Sequence, residues 1–293
     1  MNKPNQRRLV SQLRSAARAA VLTAAMGGLA ACAGGPGAAS ADERSPVADQ
    51  LAADPLAAVR GTADITGRTG SARAATELVT ESAEKKASFT GAGGYDYVKR
   101  IGRLEVAVPP GAATSGKIVE VVLPGTVYLQ NSGARIPEGK WVKLDVRQLP
   151  DGNLVSSGAT DPASAAGALR GAQKAELVGS ETVAGVALKH YRGTLDLIRA
   201  AEATGGRGAD GLRTAAQTFT AKDVPYEAWL DPQGRLHKVV EVFSFAGVAG
   251  SKEAKDQVKV TSTVSLSDFG KPVDAAEPAP TDIYSMKPTE PAK

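Results

Sequence analysis

The run Val258-Lys259-Val260-Thr261-Ser262-Thr263-Val264-Ser265-Leu266 alternates in character for nine residues. Extended backbone, whose successive side chains point to opposite faces, sorts such an order into one apolar and one polar surface. The same period of two runs through residues 103–108 and 141–146, so each of these predicted strands has an apolar face to bury. Val224–Leu230 leads into residues 235–243 through Asp231-Pro232-Gln233-Gly234. Proline presets a turn dihedral and glycine supplies a positive one, so this pair is a predicted hairpin. Residues 72–81, 87–97, 117–123, 126–130, 175–183 and 188–195 bring the strands to about eleven. With turns this short between them, the sheet is largely antiparallel.

Helical patterns are fewer: Pro55–Gly67, residues 162–171 behind an Asp161 N-cap, Leu197–Thr204, and 210–219. Proline in the first turn and glycine at the end fit the first two. These helices are too few to cover both faces of such a sheet. The expected class is therefore α+β, with helices on one face.

The N-terminus reads differently. Residues 1–18 carry Lys3, Arg7, Arg8, Arg14 and Arg18 and no acid, and residues 19–31 carry no charge. A basic segment followed by an apolar run of about a dozen residues is an export signal, too short for the roughly 20 residues of a membrane span. It ends in Leu29-Ala30-Ala31-Cys32. Small residues before the cut and a cysteine directly after it make a bacterial lipobox, so Cys32 is the expected lipidation site and the cytoplasmic membrane the expected anchor, with the body on its outer side. As this is the single cysteine in the sequence, no disulfide forms within the chain. Arg7-Arg8 leaves the general and twin-arginine export routes both open. The formal charge of +4, less the five basic residues before Cys32, leaves −1 for the mature chain, which gives no electrostatic footprint for nucleic acid. The expected organisation is a signal peptide over 1–31, a flexible Ala-, Gly- and Pro-rich tether over 32–54, a folded body over 55–273 and an irregular or mobile Pro-rich tail over 274–293.

Several motif look-alikes fall away on context. Gly206-Arg207-Gly208-Ala209-Asp210-Gly211 has dinucleotide-binding spacing but follows a helix-like stretch, where a strand is needed, and reads as a loop. Asp268-Phe269-Gly270 copies a kinase magnesium motif without that fold's phosphate loop or catalytic loop, and reads as a strand end and turn. His190 and His237 are the two histidines, with no metal-ligand spacing, so no metal site or cofactor is expected. No nucleophile elbow and no Cys/His pair is present, so no catalytic residues are assigned and no enzyme is expected. Asp223, Glu227 and Asp231 recur at i and i+4, as solvated strand edges do. Residues 252–259 alternate charge in an expected surface turn.

With the strands placed, four stretches carry a likeness. They are Gly179-Ser180-Glu181-Thr182-Val183-Ala184-Gly185-Val186 leading into His190-Tyr191-Arg192-Gly193, then Val224-Pro225-Tyr226-Glu227-Ala228-Trp229-Leu230-Asp231, then Asp268-Phe269-Gly270-Lys271-Pro272-Val273. In these, and in their order, the chain resembles the actinobacterial LppX and LprG type lipoproteins and, more distantly, the LolA-like carriers, over nearly all of residues 54–273. The resemblance implies a curved antiparallel half-barrel with helices on its concave face, and an apolar space between them that takes acyl chains. It implies a lipid or other hydrophobic molecule as partner, and no particular protein partner.

On that reading the candidate ligand-lining residues are Leu104, Val106, Val142, Leu144, Val224, Tyr226, Val260 and Val264. Alternation alone equally allows these side chains to form a closed core. Aromatic content is 4% and alanine stands at many apolar positions, which suits either a wide cavity or a small tight core. Three functional classes follow: a binder with an apolar cavity, an interaction or envelope-sensing module with a packed interior, and an enzyme, for which the sequence offers no convergent polar cluster.

Overall fold

The computed structural model describes residues 53–83, 85–108, 116–132, 136–149, 151–155, 160–246 and 257–284. Cys32, the tether up to residue 52, residues 252–256 and the tail beyond 284 lie outside these residues.

Eleven strands form one sheet: β1 (Ser71–Glu81), β2 (Lys86–Asp96), β3 (Ile101–Ala107), β4 (Lys117–Leu123), β5 (Thr126–Gln130), β6 (Trp141–Asp145), β7 (Ala172–Val183), β8 (Val186–Leu195), β9 (Val224–Leu230), β10 (Leu236–Ala246) and β11 (Gln257–Ser267). Their spatial order is β6-β5-β4-β3-β2-β1-β11-β10-β9-β8-β7, and every pairing is antiparallel. Two meanders, β1 to β6 and β7 to β11, thus run outward from a central junction where β1 pairs with β11. The sheet is open and curved, an α+β half-barrel.

The helices enter where the meanders break: α1 (Pro55–Gly67) before β1, α2 (Pro162–Ala168) between β6 and β7, and α3 (Leu197–Thr204) and α4 (Asp210–Thr218) between β8 and β9. Asp54 caps α1 by accepting from Ala57 N–H at 3.0 Å, with Pro55 in the first turn. Its buried stripe is Ala58, Val59, Thr62, Ala63 and Thr66, the i, i+3, i+4 spacing of a single face. The two threonines on that stripe are satisfied by the β9–β10 hairpin. Thr62 Oγ1 donates to Gly234 O at 2.8 Å, and Leu236 N–H donates to Thr66 Oγ1 at 2.8 Å.

Helix α2 consists of Pro, Ala, Ser and Gly alone, and this lack of bulk lets backbones approach. A Cβ at Gly171, just past it, would stand 2.1 Å from Asp196 O at the start of α3. The core lies between these helices and the concave face of the sheet. It joins Ala165, Ala166, Leu169, Ala200, Ala201, Leu212, Ala215 and Phe219 to Leu104, Tyr191, Tyr226, Val239 and Phe243.

One expectation is corrected here. Asp231 is not a solvated edge carboxylate: its side chain is fully buried and organises the β9–β10 turn. Its oxygens accept from the backbone N–H of Gln233 (3.0 Å) and Arg235 (2.9 Å) and from Arg235 Nε (2.6 Å), and lie 3.0 Å from His237 Nε2. These contacts replace the water that the carboxylate loses, and they hold its pKa below the usual range against the effect of burial.

The start of the Pro-rich tail, in turn, is irregular but docked. Residues 271–284 cross the outer face of the sheet, away from the helices. Ser71 Oγ donates to Lys271 O at 2.5 Å, Tyr128 Oη donates to the Glu277 carboxylate, and Tyr284 N–H donates to Trp141 O at 2.7 Å. Pro272, Pro278 and Pro280 have no N–H for a ladder, so the segment lies across the strands as a strap and meets a sheet edge at one bridge, Trp141 to Ile283.

Candidate functional site

Each candidate lining residue has a definite place. Leu104, Val106, Val224, Tyr226, Val260 and Val264 are at most 2% exposed and belong to the core under the helices. Val142 is buried on edge strand β6, outside that core, and Leu144 on the same strand is half-buried. None of the eight lines the cleft formed by Ala63, Tyr97, Arg100, Asp161 and Leu212 among the described residues.

This cleft lies at the end of the half-barrel where the β2–β3 and β4–β5 turns meet the helix layer. It is a cleft of about 650 Å³, within the size range of small-molecule sites. Its walls are the C-terminal half of α1, Tyr95 to Arg100, Val122 to Gly125, the start of α2, and the α3–α4 connection. Its floor is continuous with the core, because Ala63, Ala166 and Leu212 belong to both.

Local sequence explains how the walls are built. Asp96 Oδ1 accepts from Val98 N–H at 3.0 Å and Lys99 N–H at 2.8 Å, winding the β2–β3 turn tightly. Arg100 closes that turn with φ 59°, a left-handed value that costs a non-glycine residue. The turn leaves Val98 76% exposed at the lip. Opposite it, Gly205 and Gly206 (φ 65° and 55°) let the chain leave α3 and turn back into α4. A Cβ at Gly208 would lie 2.4 Å from Arg100 Nη2, so the guanidinium spans from one wall to the other.

Polar groups converge there. Asp161 caps α2 by accepting from Ala163 N–H (3.2 Å), Ser164 N–H (3.1 Å) and Ser164 Oγ (2.7 Å). Burial pushes its carboxyl up, against the pull of those hydrogen bonds and of Arg100. Burial also drives the Tyr95 and Tyr97 hydroxyls well above the usual range, with the Asp161 charge adding to both. Tyr97 Oη is buried and has no hydrogen-bond partner. Arg170 is spoken for by Asp64 Oδ1 at 2.6 Å. Arg68 and Arg100 make no ion pair among the described residues.

Neither histidine joins this site. His190 stacks on Trp229 (4.2 Å, 6°) on the outer face with Nε2 2.7 Å from Glu227 Oε2, and His237 sits against Asp231 and Phe269. No group of three or more His, Cys, Asp or Glu side chains could hold a metal ion among the described residues. Gly206–Ala209 is a short 3₁₀ turn and Asp268-Phe269-Gly270 a turn after β11, in keeping with their sequence readings. Sequence reasoning passed over the cleft residues. The available signal was Tyr95-Asp96-Tyr97, two aromatics beside a turn-forming acid in an aromatic-poor chain.

No protein-family model matches the chain, and no curated protein sequence matches it. Among solved structures it is similar to the lipoprotein LppX of Mycobacterium tuberculosis (13% identity, 76% of this chain and 100% of that one, TM-score 0.45). LprF from Mycobacterium bovis gives 15% identity over 80% and 99% of the two chains, TM-score 0.40. A DUF1329 family protein from Desulfovibrio piger gives 10% identity over 73% and 92%, TM-score 0.31.

Proposed function

We propose that this protein is a non-enzymatic binder of a lipid or other hydrophobic ligand, held by a lipid on Cys32 to the outer side of the cytoplasmic membrane, in the manner of the LppX and LprG type lipoproteins. The observation that carries the reading is the cleft of about 650 Å³ whose floor opens onto the core through Ala63, Ala166 and Leu212. An acyl chain in water exposes methylenes worth about 0.8 kcal/mol each, and an apolar floor removes that cost. A chain longer than the cleft would advance between the helices and the sheet, where Leu104, Val106, Val224, Tyr226, Val260 and Val264 receive it, with Val142 and Leu144 toward the β6 edge. A second reading, an interaction or envelope-sensing module with a closed interior, draws support from the tight burial of those first six side chains.

The full chain carrying Cys32→Ser, titrated with the neutral apolar dye N-phenyl-1-naphthylamine and weighed by native mass spectrometry, separates the two. One dye per chain, lost when Ala163→Trp fills the cleft, supports the binder. No dye uptake, together with no lipid on protein taken from its own membranes, leaves the closed module.

A further inference from the structure

The cleft has a polar mouth as well as an apolar floor, and its charge is unbalanced. Arg68, Arg100 and Arg170 border it against Asp64 and Asp161. Asp64 is consumed by Arg170 at 2.6 Å, and the Asp161 oxygens are engaged in capping α2. Two guanidinium groups remain without an ion-pair partner among the described residues. Beside them Tyr97 lines the same space, and its Oη is buried and without a hydrogen-bond partner. A buried hydroxyl left unmatched carries an uncompensated desolvation cost, so a ligand that accepts its proton recovers that cost. Two exposed guanidinium groups and an unused donor around one opening suit an oxyanion.

We propose that the mouth of the cleft is a head-group site for a carboxylate or phosphate, recognised by Arg100 and Arg68 with Tyr97 donating a hydrogen bond, so that the preferred ligand is an acidic amphipath whose chain lies on the apolar floor. The inference rests on the cleft being the ligand site. Arg100 is the central group because its guanidinium crosses from the β2–β3 turn to Gly208, where it stands over whatever occupies the cleft.

The test uses the full chain with Cys32→Ser and measures displacement of N-phenyl-1-naphthylamine by palmitate and by 1-hexadecanol, which share a chain and differ in head group. Palmitate is expected to displace the dye at a concentration at least about ten-fold lower, the size of a charge-assisted hydrogen bond. Arg100→Met and Arg68→Met should bring the two probes together, and Tyr97→Phe should narrow the gap. Gly208→Ala keeps every charge but pushes the guanidinium aside, and should also narrow it.

Calorimetry with inorganic phosphate identifies the source of the anion. Phosphate binding that Arg100→Met abolishes supports the oxyanion site and assigns it to a free anion as well as a lipid head. Equal displacement by acid and alcohol overturns the head-group site while leaving the hydrophobic binder intact. Absence of dye and phosphate binding alike overturns both.

Discussion

Glu241 lies on the concave face of β10 between Tyr226 of β9 and Ser262 of β11 in register. Its side chain is fully buried, and neither carboxylate oxygen has a hydrogen-bond partner. Burial alone raises its pKa from 4.5 to about 8, so the group is protonated in the fold at neutral pH and ionised in the unfolded chain. Between those two values the folded state binds more protons, and stability must fall as pH rises. Each pH unit in that window costs about 1.4 kcal/mol, or about 3 kcal/mol accumulated at pH 7. Glu241→Gln keeps the shape and removes the titration. In urea unfolding of the Cys32→Ser chain, the substitution should change stability little below pH 4.5 and raise it by about 3 kcal/mol relative to the parent at pH 7. Urea midpoints of parent and variant that stay parallel from pH 4.5 to pH 8 would refute a buried neutral acid at this position.

Other expectations follow from single contacts. Thr66→Val strands the buried Leu236 N–H that Thr66 Oγ1 now accepts, and should cost about 1–3 kcal/mol in urea, whereas Thr66→Ser should retain most of the stability. Asp161→Ala removes the α2 cap and should cost about 1 kcal/mol, visible as a lower melting temperature, while Asp161→Asn should stay close to the parent. Ending the chain after Lys271 uncovers Tyr128, now fully buried under the strap. Losing that apolar burial should cost about 1.5–3 kcal/mol, read from the urea midpoint, and should leave the far-ultraviolet dichroism of the sheet unchanged.

The strands were legible because their period of two is a local property: Val258 to Leu266 states its own geometry whatever it packs against. The same holds for Asp54 and Asp161, whose capping roles need only the next three residues. What alternation cannot say is what covers a face. It sorts Leu104 and Val106 from Arg103 and Glu105, but whether helices or a ligand meet them depends on elements more than 50 residues away. Leu144 is half-buried because β6 is an edge strand, a fact of sheet order that the run Trp141–Asp145 does not contain. The cleft was invisible for the same reason: Tyr97, Arg100, Asp161 and Gly208 come from three separate connections. In the tail, the prolines announced the absence of a ladder, yet docking is set by a few polar contacts, such as those of Tyr128 with Glu277 and Lys140 with Asp282, which composition does not encode.

The junction at the middle of the sheet pairs Arg73 with Ser267 and Glu81 with Lys259, joining the first strand made to the last. During synthesis, either meander can close its own hairpins early, but β1 keeps one side bare until Gln257–Ser267 has emerged. Such a late, long-range pairing is slow and leaves an adhesive edge in the meantime. A chain cut short before β11 would therefore carry two bare strand edges, on β1 and β10, each able to recruit another such chain, and its characteristic failure would be end-to-end polymerisation through the missing seam.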